Sequence, residues 1–286
     1  MSLIKSKADM EQAYYLLVGD MLDTPLFDRG EVHAQKTTAP EMVTRELNHI
    51  TQYIWVPRSM KAWQIRVSPN LPWAEAHFRE RVGGEPLNPS PEEANWPFAQ
   101  QGNKVHKQDE KFSHTYPERF WPKHAGHNWG PKPEYFQPVE QHPDLCKKKG
   151  VRFDYGDLGD LVKILRKNPR SRQAYLPVWF PEDLTAAVEG QRVPCTLGYH
   201  IMMNRHGRMD MVYSMRSCDM IRFYRDDIYM AGRLLQWVCQ QLGGLEPDKL
   251  TVHIDNLHTF EGDRMFLSNV MTQYEELYGA VWGAAV

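Results

Sequence analysis

Between Asp157 and Lys167 the apolar positions are Leu158, Leu161, Val162, Ile164 and Leu165. That is one face of a helix, and Asn168-Pro169 stops it. Ala174–Phe180 is a short apolar and aromatic run, read as a buried strand. Thr196–Asn204 and Met209–Met215 are two strand-like runs, and Arg205-His206-Gly207-Arg208 between them signals a hairpin. Asp226–Leu242 is amphipathic at helical spacing and stops at Gly243-Gly244; Leu250–Asp255 reads as another strand and Gly262–Tyr278 as a final helix. Strands in the middle with helices on either side predict an α+β domain with a mixed or mostly antiparallel sheet.

The stretch Pro86–Pro143 breaks this regularity. It is rich in Pro, His, Asn, Trp and Gln and carries little apolar period. Long packed loops of this kind serve as lids or binding walls, or are accretions without a role. The chain has no internal repeat and no glycine-rich dinucleotide or P-loop pattern. Residues 1–286 therefore read as one catalytic domain with 86–143 as a loop-rich insertion.

Composition narrows the class. Apolar residues make up 42% and charged residues 24%, enough for a full-sized core. A formal net charge of -2 supplies no global basic field, which argues against nucleic acid as the partner. Cys146, Cys195, Cys218 and Cys239 are spread out with no CxxC pair, so neither a disulfide framework nor a zinc cluster is expected. No apolar run is long enough to span a bilayer, and Met1–Glu11 lacks the apolar centre of a signal peptide. A cytoplasmic protein without membrane partner or metal is the expectation.

Four segments carry candidate chemistry: Asn168-Pro-Arg-Ser-Arg172, Val193-Pro-Cys195 before a strand, Tyr213-Ser-Met-Arg-Ser-Cys-Asp219 at the end of the next, and Asp255-Asn-Leu-His258. Singly each is weak, since a lone cysteine is more often a small buried hydrophobe and a lone arginine a surface residue. Together they set a cysteine at a strand start among arginines at neighbouring strand and loop ends. That surrounding favours a thiolate and binds a phosphate.

The order and spacing of these segments resembles thymidylate synthase and the related nucleotide hydroxymethylases, continuously from about Tyr155 to His258. The match rests on Pro194-Cys195 and above all on Arg216-Ser217-Cys218-Asp219. Fragments match earlier: Asp28-Arg29, Arg45-Glu46-Leu47, Trp96 and Tyr116. The resemblance implies a homodimer built on a sheet face, a pyrimidine nucleotide monophosphate as substrate and methylenetetrahydrofolate as one-carbon donor. It also implies covalent catalysis, in which a thiolate adds to C6 and turns C5 into a carbon nucleophile. By resemblance Cys195 is the nucleophile, Arg216 and Ser217 hold the phosphate, and Arg172 reaches the partner's phosphate, with Arg29 as a further arm. Glu46 is the proton-transfer carboxylate or, alternatively, an exposed helical residue or an ion-pair partner. Asp219 lies near folate and base, Tyr116 near the cysteine, and Trp96 and Phe223 along the folate. A short apolar tail, Gly279–Val286, either closes over the site or is a frayed end.

The departures point to the substrate. Gln173 stands where the family has a second arginine, and Met215 replaces a glutamine. Arg222-Phe223-Tyr224-Arg225 replaces a smaller folate-wall segment, and His258 with Phe260 replaces a His and Tyr that bind the sugar. Asp227 stands where the family reads uracil with asparagine. A carboxyl suits the amino group of cytosine with a proton shared at N3; a one-residue slip would make Asp227 a helix-start acid instead. The implied activity is 5-hydroxymethylation of dCMP or CMP. A uridylate methylase or hydroxymethylase and a non-catalytic nucleotide-binding homologue are the alternatives. A cysteine hydrolase would need a histidine base at a spacing the chain does not show.

Overall fold

The computed structural model describes residues 3–27, 43–96, 107–108, 111–125 and 156–282. The helices are α1 (Lys7–Asp23), α2 (Met60–Val67), α3 (Trp73–Val82), α4 (Pro91–Ala94), α5 (Tyr116–Phe120), α6 (Leu158–Lys167), α7 (Glu182–Val188), α8 (Tyr224–Gln241) and α9 (Arg264–Trp282). The strands are β1 (Thr44–Trp55), β2 (Lys107–Gln108), β3 (Lys111–Phe112), β4 (Tyr175–Pro177), β5 (Thr196–Met203), β6 (Met209–Met215), β7 (Cys218–Asp219) and β8 (Pro247–Phe260). None of the described helices is long and apolar enough to cross a membrane.

The main sheet runs β1-β8-β6-β5-β4, with β7 added to β8. β8 pairs antiparallel with β1 but parallel with β6 and β7, and the β6-β5-β4 edge is antiparallel. The sheet is thus mixed, as the run of elements predicts. On β6 the buried residues Met209, Met211, Tyr213 and Met215 alternate with half-buried Asp210, Val212 and Ser214, the period of a strand covered on one face. α8 covers that face, and fourteen of its 18 residues are buried, which makes it the core helix. Trp63 of α2 lies directly on Gly232 of α8, where an added Cβ would sit 2.3 Å from the indole. The indole N–H donates to the Tyr229 carbonyl at 2.9 Å.

Local signals explain the elements read correctly. The side chains of Asp157 and Asp160 cap the start of α6 reciprocally. Gly207, at φ 77°, turns the β5–β6 hairpin while the Asn204 side-chain oxygen accepts from the His206 and Arg208 amides. The run at Ala174–Phe180 is a strand only over Tyr175–Pro177, and the last β-strand runs to Phe260 rather than ending at Asp255. α1 and β1 escape the periodicity reading. Burial along β1 does not alternate, and His49 at φ 57° interrupts it, so its sequence lacks a period of two.

Candidate active site

One pocket collects the ends of several elements. Cys195 enters it immediately before β5, Ser217 and Asp219 from the turn into β7, and Phe223 and Asp227 from the start of α8. α3 contributes Trp73, His77 and Arg81, spaced by four so that one helix face lines the cavity. Trp96, Phe112, His114 and Tyr116 close it, all from the 86–143 stretch.

The nucleophile candidate sits beside a cation. Arg216 donates from Nε to the Pro194 carbonyl at 2.8 Å and from Nη2 to the Val193 carbonyl at 3.0 Å. Those bonds hold Nη2 4.0 Å from Cys195 Sγ. Arg192 and His114 line the same end, and burial among Arg192, Arg119 and Arg216 pushes the His114 imidazole well below its ordinary pKa. This end is cationic, with Ser217 beside it.

Asp227 lines the same pocket. The residue is 6% exposed, and its carboxyl has no side-chain hydrogen bond among the described residues. Burial lifts its pKa to about 7, against the pull of Arg81 and with Asp226 adding to the rise. Asp226 is tied instead to the Asn70 amide and side chain, both at 2.8 Å. Arg81, 3% exposed, stacks its guanidinium 3.8 Å from the Tyr116 ring centre, and its buried Nε has no partner. The Tyr116 hydroxyl bonds Thr196 Oγ1 at 3.0 Å, which in turn bonds the Tyr213 hydroxyl at 3.0 Å. Burial and nearby Asp227 push the Tyr116 phenol well up, so it stays a neutral hydroxyl.

Two aromatics of the pocket wall, Trp96 and Phe223, stack on each other with centres 4.5 Å apart and planes 8° apart. Asp219 is committed internally. It accepts from the Ile221 and Arg222 amides at 3.0 and 3.1 Å and from Arg222 Nη1 at 3.0 Å, and Arg222 also grips Asp263 at 2.7 Å.

The structure thus brings together Cys195, Tyr116, Trp96, Ser217, Asp219, Phe223 and Asp227, with Arg216 behind the sulfur. His258 stands beside the pocket, its Nδ1 3.3 Å from Ser217 Oγ. Glu46 is not brought there. It lies on β1 opposite His258, neither helical nor lining the pocket, and accepts from Thr44 Oγ1 at 2.7 Å and Asn256 Nδ2 at 2.8 Å. Arg172 is exposed and outside this pocket. Arg29 and the tail 283–286 lie outside the described residues. Sequence reasoning missed His77, Arg81, His114 and Arg192. The signal for the α3 pair was the i, i+4, i+8 recurrence of Trp73, His77 and Arg81.

The family described as thymidylate synthase matches residues 100–277, more than half of the chain. The chain belongs to the thymidylate synthase family. Thymidylate synthase of Rhodopseudomonas palustris (strain BisA53) is 26% identical over 107 residues; that stretch covers 37% of this chain and 35% of the relative's length. The thermostable thymidylate synthase A of Bacillus subtilis superposes with a TM-score of 0.59 over 92% of this chain and 84% of its own, at 15% identity. At that identity the superposition speaks for the thymidylate synthase fold alone.

Proposed function

We propose that this chain transfers a one-carbon unit from methylenetetrahydrofolate to C5 of a cytidine nucleotide monophosphate, releasing the 5-hydroxymethyl nucleotide. The observation that carries the reading is Asp227, a buried, unbonded carboxyl with a pKa near 7 in the pocket that holds Cys195. Cytosine offers N4–H as donor and N3 as a proton acceptor. A carboxyl holding one proton complements both. When that proton passes to N3, the cationic ring becomes the better acceptor for the Cys195 sulfur at C6.

The remaining roles follow from position. Arg216 and Ser217, with Arg192 and His114 added, form the phosphate end. The Trp96–Phe223 face suits a flat folate ring. Because Arg222 and two amides already occupy its oxygens, Asp219 serves better as the brace of that wall than as a direct folate acceptor. His258 beside Ser217 is the candidate sugar contact, with dCMP slightly preferred over CMP. We read residues 1–286 as one catalytic domain working as a homodimer on its open sheet face, with exposed Arg172 reaching the partner's phosphate.

The test is tritium release from C5-labelled dCMP, CMP, dUMP and UMP, with and without methylenetetrahydrofolate. Release from a cytidylate is expected. A protonated Asp227 also complements O4 and N3–H of uracil, so release from a uridylate alone would keep the covalent mechanism and overturn the base assignment. Release from none would favour a nucleotide-binding homologue without catalysis.

A further inference from the structure

The one-carbon reading needs a group to take the proton from C5, and with Glu46 on β1 outside the pocket that role is open. Among the described pocket residues most titratable groups are already engaged. The Asp219 oxygens are held by Arg222 and two backbone amides. The Tyr116 hydroxyl is bonded to Thr196, and His114 stands at the cationic end. Asp227 is assigned to the base edge.

His77 differs from all of these. Its ring is 2% exposed, lines the Cys195 pocket and stacks on Trp73 with centres 5.3 Å apart. Its Nδ1 lies 3.3 Å from Glu80 Oε2. That carboxylate is fixed further: Ser90 Oγ donates to the same Oε2 at 2.5 Å and the Glu92 amide to Oε1 at 3.1 Å. A carboxylate only accepts, so Nδ1 carries the proton and Nε2 presents its lone pair. No described residue bonds Nε2. Burial, with Arg81 adding to it, lowers the imidazole pKa to about 4, so the ring is neutral with Nε2 unprotonated, a weaker base than a free imidazole.

We propose that His77, oriented by Glu80, is the catalytic base that removes the C5 proton. This rests on the one-carbon transfer above. Sγ of Cys195 adds to C6, and the displaced electron pair at C5 forms the bond to the one-carbon unit. C5 then carries both its hydrogen and the new carbon. Nε2 takes that proton, and the freed pair makes a double bond to the new carbon as the tetrahydrofolate amine leaves with its own pair and gains a proton from solvent. Water adds to the new carbon and loses a proton, and the sulfur leaves C6 as thiolate. Glu80 stabilises the imidazolium formed midway.

Two cytidylate probes separate this step from the earlier ones. In His77→Asn the amide keeps a donor towards Glu80 but offers no proton acceptor of imidazole strength. Tritium release from C5-labelled dCMP with methylenetetrahydrofolate is expected to fall about 10²- to 10⁴-fold. With 5-fluoro-dCMP, which has no C5 proton to lose, the covalent Cys195 adduct seen by mass spectrometry of the denatured protein is expected at the wild-type level. Glu80→Gln should lose release to a smaller degree and also keep the adduct. Release within about threefold of wild type in His77→Asn would overturn the proposal. So would parallel loss of adduct and release in both variants, since a packing role alone predicts that. A wild-type protein giving neither adduct nor release would instead refute the one-carbon reading itself.

Discussion

Replacing Asp227 with asparagine probes the electrostatics of the pocket and its reading of the base together. In the folded chain burial lifts the carboxyl from 3.8 to about 7, while the unfolded chain ionises it near 3.8. Between those values the native state holds a proton that the unfolded state has given up. The stabilising contribution is therefore fully present below pH 3.8 and lost as pH rises to about 7. About three pH units at roughly 1.4 kcal/mol each set an upper figure of about 4 kcal/mol for that loss. Asparagine does not ionise and escapes it. Its buried amide donors cost about 1–3 kcal/mol if they find no acceptor. The expected net is a variant more stable than the parent at pH 8 by on the order of 1–3 kcal/mol, a Tm rise of a few degrees for a chain of this size. Near pH 4 the advantage should vanish or reverse, because the parent carboxyl is then neutral. Thermal unfolding of both proteins at the two pH values reads this directly. A Tm difference that stays the same at both would refute the burial argument. On the functional side, C5 tritium release should move from cytidylate towards uridylate, and unchanged affinity for both nucleotides would mean that Asp227 does not touch the base.

Cys195→Ser should abolish turnover while largely sparing nucleotide binding measured by calorimetry; substantial residual turnover would sink the covalent mechanism. Gly232→Ala forces a methyl to within 2.3 Å of the Trp63 ring on the core helix, and should destabilise by about 1–3 kcal/mol in urea unfolding. A midpoint equal to the parent's would show that the two helices do not pack this closely.

Much of the second half of the chain was legible because its signals are local. α6 combines an apolar stripe with its own capping box, and the β5–β6 hairpin has Asn204 and Gly207 at the turn. The spacing of Cys195, Arg216, Ser217 and Asp219 carried the family resemblance, and the structure sets Cys195, Ser217 and Asp219 at one pocket, with Arg216 beside the sulfur. Glu46 was not legible in this way. Arg45-Glu46-Leu47 looks alike in a helix and in a strand, and only pairing with β8 decides between them.

The sequence by itself determined the helix and strand periods, the hairpin, and which residues could carry thiolate and phosphate chemistry. Those properties depend on neighbours a few positions away and on residue type. Tertiary structure decided the rest. β1 exists because β8, some two hundred residues later, supplies its hydrogen-bond partners. Asp227 acquires a pKa near 7 because folding removes its water, a rise that the nearby Arg81 cation only partly offsets. His77 and Cys195 share a cavity because α3, the turn before β5 and the start of α8 converge on it. Desolvation and long-range pairing belong to the packed chain, so no local pattern announces them.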